Sequence, residues 1–199
     1  MRILLRALGA LVLVVPLVAI AQAPPGVARG TIEALQGDTL TLRTDAGETD
    51  TIELAKNWNV TVLKPVSVDA IRPGSFIGTA EMPQGHNTGR SIEVHVFPPG
   101  VKAGAGHYRW DLRKGSMMTN GTVGKVTASP GGRVLIVSYP HGERRIIVPR
   151  SVPVVEFTNG DRSLVRPGIA AFLIVAHSPS GGLVSSGIAI GENGAKPPM

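Results

Sequence analysis

Ile71-Arg72-Pro73-Gly74 and Val165-Arg166-Pro167-Gly168 repeat the same pattern 94 positions apart. The repeat is not isolated. Arg29-Gly30-Thr31-Ile32 returns as Asn120-Gly121-Thr122-Val123, and Glu48 after Gly47 returns as Glu143 after Gly142. Ile52, Leu54 and Val60 map onto Ile146, Val148 and Val154, again 94 positions on. Order is kept throughout, which marks an internal repeat. The chain therefore reads as two lobes, 28–98 and 119–191, joined by a connector at 99–118 and followed by a tail at 192–199.

Within a lobe the apolar period is two. Thr39-Leu40-Thr41-Leu42-Arg43, Thr51-Ile52-Glu53-Leu54 and Ser91-Ile92-Glu93-Val94-His95-Val96 alternate, as strands with one face in a core do. Gly37-Asp38 and Ala46-Gly47 sit where hairpins reverse. Ser67 is placed to cap a single helical turn over 67–72, which Pro73-Gly74 ends. Three strands, a short helix and two strands is the order of an OB-like Greek-key barrel. The fold class expected is mainly β, with two tandem OB-like small barrels and an N-terminal signal peptide. A plain meander or small sandwich is the competing fold.

Composition agrees. Gly and Pro make 41 of 199 residues, about a fifth against an average of roughly 12%, so long helices have little room. There is no Cys, which excludes disulfide scaffolds, Cys-based zinc sites and thiol catalysis. Residues 1–21 have the form of a secretory signal: Arg2 and Arg6 lead, an apolar run from Ala7 to Ala21 follows, and Ala19-Ile20-Ala21 supplies a cleavage site. The run is shorter than the 18 or so residues of a spanning helix. Export to the periplasm is the expectation, with no membrane span after cleavage.

Lobe 1 has a net charge of −3, the connector +3 and the remainder +4. Opposite signs favour docking of the lobes or pairing between chains. Val134-Leu-Ile-Val137 and Ala170-Ala-Phe-Leu-Ile-Val175 are apolar on both faces and need a second cover. Self-association through lobe 2 is one way to supply it.

No Gly-x-Ser-x-Gly elbow, phosphate loop or dinucleotide fingerprint is present, and no nucleotide cofactor is expected. Glu33, Glu53 and Glu93 lie on polar strand faces without an aromatic sugar platform. Few aromatic residues are available to stack bases, and export removes the chain from cytoplasmic nucleic acid. An enzyme and a nucleic-acid partner are therefore not expected.

Two candidate sites remain. Glu93 and His95 are two apart in a strand and share a face. With His107 they form a candidate divalent-metal set, and Met117 and Met118 would extend it for copper. The alternative is that the acid and the histidine are surface neighbours. The second candidate is the connector, which concentrates His107, Tyr108, Trp110 and Asp111. It reads either as a binding loop with aromatic anchors or as a plug, in which Trp110 closes the lobe interface and Asp111 caps backbone amides.

These segments resemble a family of exported bacterial proteins of unknown function that carry one or two OB-like β-barrel domains. The resemblance rests on Arg29-Gly30-Thr31-Ile32-Glu33, Gly37-Asp38-Thr39-Leu40, Ile71-Arg72-Pro73-Gly74, Glu93-Val94-His95-Val96-Phe97-Pro98, Gly106-His107-x-x-Trp110-Asp111-Leu112 and Met118-Thr119-Asn120-Gly121. Similar sequences are sometimes labelled metal-transport permease subunits. The resemblance implies the barrel fold and a non-catalytic binding or accessory role toward a periplasmic protein or small ligand, and it brings no catalytic residues. A copper or zinc accessory role in metal transport is the alternative.

Overall fold

The computed structural model describes residues 26–199; the expected signal segment at 1–21 lies outside them. The described chain is mainly β, and its sheet closes on itself into barrel walls. In chain order the strands are β1 (Gly26–Gln36), β2 (Thr39–Thr44), β3 (Thr49–Pro65), β4 (Phe76–Pro83), β5 (Thr88–Val96) and β6 (Gly106–Arg109). They continue with β7 (Met117–Ser129), β8 (Gly132–Tyr139), β9 (Gly142–Pro149), β10 (Val154–Gly160), β11 (Ala170–His177) and β12 (Leu183–Gly191). Among the described residues no helix is long and apolar enough to cross a membrane.

The expected punctuation is in place. Gly37 and Gly47 turn the first two hairpins with φ of 60° and 87°. Ser67 Oγ accepts the Asp69 amide at 3.2 Å and opens a 3-10 turn over Val68–Ala70. Asp161 does the same for Ser163 at 2.8 Å before the turn Arg162–Leu164. Gly74 and Gly168, which end the two Arg-Pro-Gly stretches, have φ of 87° and 86°, a left-handed conformation that favours glycine.

Strand pairing crosses the expected lobe boundary. One ring runs β1-β2-β3-β12-β11 and returns to β1, closed by the parallel pair β3–β12. The other runs β7-β8-β9-β5-β4 and returns to β7, closed by the parallel pair β5–β9. Each ring thus takes three strands from one repeat and two from the other. Neither 28–98 nor 119–191 closes a ring alone. The cause is local to β3, which runs 17 residues with no glycine and its only proline at the last position. It therefore passes beyond the first ring and delivers the turn at Val68–Ala70 and β4 to the second. In the other half Arg150-Ser151-Val152-Pro153 separates β9 from β10. β10 then lies antiparallel on the end of β3, with Phe157 opposite Leu63, and parallel to the end of β5.

The inward phase of the alternation fills both rings. Ile32, Leu40, Leu42, Ile52, Leu173 and Ile188 pack in the first; Ile77, Val94, Val123, Leu135, Ile146 and Val148 pack in the second. Each such side chain contributes roughly 1.5–3 kcal/mol on full burial. A third cluster, including Leu63, Val155, Phe172 and Met199, lies outside these two, with Trp110 and Phe157 packed against it.

Candidate functional site at the connector

The face expected to be polar and exposed on β5 is covered. Glu93 is fully buried and His95 is 4% exposed. Register explains their neighbours. Ala80 stands between Glu93 and Met118, with Tyr108 next in the row; Gly78 stands between His95 and Asn120, with Gly106 next. Four strands, β5-β4-β7-β6, thereby put Glu93, His95, Met118, Asn120 and Tyr108 on one face.

The histidine is fixed on every side. Its Nδ1 lies 3.2 Å from Glu93 Oε2, and Glu93 Oε1 accepts the Ala80 amide at 2.8 Å. That amide sits at a register shift between Ala80 and Glu81, where an irregularity releases a ladder donor. The imidazole stacks on Phe157 at 5.0 Å between centroids and meets Phe97 edge-on at 5.2 Å. A Cβ on Gly78 would run into both His95 Nε2 and Asn120 Oδ1. Asn120 Nδ2 donates to Tyr108 OH at 3.1 Å and to Ala103 O at 3.3 Å, while its buried Oδ1 has no partner. The Thr79 and Ser91 hydroxyls, 2.6 Å apart, are committed to each other and to Glu93 O.

His107 is not brought to His95. It pairs with Thr119 across the ladder, one residue before Asn120, so its ring occupies the opposite face. Its Nδ1 lies 2.9 Å from Thr119 Oγ1 and 3.8 Å from Glu81 Oε1. Glu81 is fully buried and ion-paired with Arg144 Nε. Burial pushes the Glu81 carboxyl above the usual carboxylate range, against the opposing pull of Arg144. Burial, and then the charge of Arg144, push His107 below the ordinary imidazole range. Met117 and Met118 are adjacent in β7 and so face opposite ways. Among the described residues no three His, Asp or Glu side chains gather as a ligand set.

The rest of the connector bridges the rings. Trp110 packs on Phe172 of β11 at 6.4 Å, and the Arg29 guanidinium lies 5.7 Å from the indole and 5.4 Å from the phenyl centroid. Asp111 accepts from the two terminal nitrogens of the Arg29 guanidinium at 2.7 and 2.9 Å, and Arg29 Nε donates to Met199 O at 2.9 Å. Hydrogen bonds from Arg29 therefore hold the Asp111 carboxyl below its usual range. The partner of Asp111 is this guanidinium, where a cap on backbone amides was expected. Tyr108 stays 39% exposed, and burial of the rest of its side chain pushes the phenol up. Among the described strands β6 alone has a single neighbour, β7.

Glu81, Arg144 and Asn120 were not expected as site residues. The first two were readable by phase. Glu81 follows Ile77 by four positions and Arg144 precedes Ile146 by two, so both charges fall on inward positions. Comparison with family models, with curated proteins and with solved structures finds no match to the chain.

Proposed function

We propose that the chain is an exported, non-catalytic binding protein of two OB-like barrels, derived by duplication and interlocked by strand exchange. The order within each ring supports the OB-like assignment. With β9 and β10 together taken as the counterpart of the long β3, each ring runs first, second, third, fifth, fourth and back to the first, with a parallel third–fifth pair. Register supports the duplication: Leu63 and Phe157, 94 positions apart, face each other across the β3–β10 pair. Each half thus meets the equivalent point of the other.

One observation carries the binding role. Among the described strands β6 alone has a single neighbour, and β6 displays Tyr108 and Arg109 at the surface. A free strand edge beside an exposed aromatic is suited to an extended segment of a partner, held by main-chain hydrogen bonds. The hydroxyls of Thr79, Ser91 and Thr119 and the Nδ1 atoms of His95 and His107 are tied to neighbours. The test is photo-cross-linking from position 109 in cells, followed by native mass spectrometry of the chain purified from its own compartment. One dominant adduct, lost on Tyr108→Ala, is expected. No adduct, and a bare chain in native spectra, would remove the reading.

A metal accessory role is the second reading. It is favoured by the Glu93–His95 contact at 3.2 Å, because a carboxylate on one ring nitrogen commonly orients a metal-binding histidine. Nε2 of His95 and Oδ1 of Asn120 are the donors left on that face. Copper or zinc in the purified protein, lost on His95→Ala, would select this reading over the first.

A further inference from the structure

The two rings present the same outer wall with different chemistry. In the first ring Ala34, Thr41 and Thr51 stand abreast, and beside them Gln36, Thr39, Glu53 and Val184. The equivalent rows in the second are Lys125, Ile136, Arg145 and Thr88, then Thr127, Val134, Ile147 and Arg90. The register irregularity falls at the same place in β1 and β7, after Ile32 and after Val123, so the rows correspond position by position. Thr39, Thr41 and Glu53 of one ring give way to Val134, Ile136 and Ile147 in the other, and Ala34, Thr51 and Val184 give way to the cations Lys125, Arg145 and Arg90.

Val134, Ile136 and Ile147 remain half-buried, with β8 in substantial contact only with β7 and β9. Lys125, Arg145 and Arg90 are exposed, and none is in an ion pair among the described residues. The cations flank the aliphatic chains on both sides, at β7 and at β5 and β9. A second copy docked on this wall face to face would bring cations onto cations, so the complementary partner is anionic. It is also a partner that needs no shape. β8 and β9 are each paired along both edges over these rows, so the aliphatic chains of Val134, Ile136 and Ile147 border no free strand edge. The cavity beside Arg29 and Met199 and the one beside Val62 and Ile190 are both lined by other residues. A layer of anionic headgroups over acyl chains meets both conditions, since flanking cations bind the headgroups and short aliphatic chains enter the boundary.

We infer that the outer wall of β7–β8–β9 docks on an anionic lipid surface. The inference is independent of the connector reading, which concerns β6. The probe is vesicles of phosphatidylcholine alone or mixed in equal parts with phosphatidylglycerol, in co-sedimentation with the full chain. Binding to the mixed vesicles only, weakened by salt, is expected. The combined variant Lys125→Ala, Ile136→Thr, Arg145→Thr installs the residues that the first ring carries at these positions. Loss of its two cations, at about fivefold each, predicts about 30-fold weaker association. The control Arg113→Ala, Lys114→Ala removes the same charge from the exposed connector and is expected to bind within about twofold of the parent. Equal loss in both variants, equal binding to neutral vesicles, or no vesicle binding overturns the inference. Capture by immobilised polyglutamate without vesicle binding also overturns it, in favour of an acidic protein partner. Circular dichroism of each variant confirms that the sheet is intact before binding is scored.

Discussion

Arg144→Met tests the interior of the second ring most directly. Glu81 is fully buried and the Arg144 side chain is 9% exposed, so the discount for solvent screening that applies to surface pairs is absent. The substitution keeps most of the side-chain volume and strands a carboxylate, for which the cost is about 3–5 kcal/mol near neutral pH. The pH dependence has a definite sign. Burial raises the folded-state pKa of Glu81 above the ordinary carboxylate range, so the folded state holds that proton more tightly than the unfolded state. The stability this contributes is full below the unfolded value and is lost as pH rises through the folded one. Arg144 opposes the shift, so its removal enlarges it. The deficit of the variant should therefore be largest near neutrality and shrink in acid. Urea unfolding at about pH 7.5 and about pH 5 measures both arms. The double variant Glu81→Gln, Arg144→Met removes the stranded charge and should recover about half of the loss. A deficit below about 1 kcal/mol would mean that the pair is solvated. A deficit unchanged by pH and by Glu81→Gln would assign the cost to lost packing.

Three further outcomes are expected. Gly78 and His95 pair across β4 and β5, as Phe172 and Ala189 pair across β11 and β12; Gly78→Phe and His95→Ala should each destabilise, and the double variant should fall short of their sum by about 0.5–3 kcal/mol in a thermal or urea cycle, with strict additivity counting against equivalence of the two pairs. Trypsin nicking after the exposed Lys102 should leave two fragments that co-elute in native size exclusion and part only in denaturant, because each ring draws strands from both sides of the cut; two separately folded fragments would refute the exchange. Asp111→Asn should cost under about 1 kcal/mol, since that side chain is 58% exposed. Because Arg29 lowers the Asp111 pKa from 3.8, the small stabilisation is present above that value and lost as pH falls through the folded one, so parent and variant should converge in acid.

Much of the scaffold was legible because strand periodicity is local. Ile52 and Leu54 follow from alternation, Ser67 from its capping chemistry, and Gly74 and Gly168 from the turns they close. Which ring a strand joins is not local. Alternation in β4 and β5 says that one face meets a core, and it is equally satisfied by the core of either repeat. What decides is the uninterrupted length of β3, a missing turn rather than a present motif. The burial of Glu93 and His95 was hidden for a related reason. Alternation assigns them to the side away from the barrel interior, which is correct, but that side is roofed by Phe157 from the other repeat and by the connector. His107 illustrates the opposite limit. Its grouping with Glu93 and His95 as a candidate ligand has no spacing to support it, and a one-residue phase in the β6–β7 ladder sends it to the far face.

On the proposed duplication, the difference between the halves at equivalent points becomes informative. Where one half holds a bulky residue on β11 and a small one on β12, Phe172 and Ala189, the other holds the small residue on β4 and the bulky one on β5, Gly78 and His95. Steric demand is conserved by inversion, since a Cβ on Gly78 has no room beside the imidazole. Packing alone does not require the bulky member to be polar, because a phenyl ring serves on the other side. The imidazole brings a buried carboxylate to Nδ1, and its row carries an amide oxygen left without a partner, features that cost stability. In the same row of the first ring Arg29 replaces Asn120 and is tied to Trp110 and Asp111. One arm of the connector therefore closes a seam, while the other, β6, spans a polar array and leaves its own edge open. A merely structural connector would have had no need to differ between its two ends.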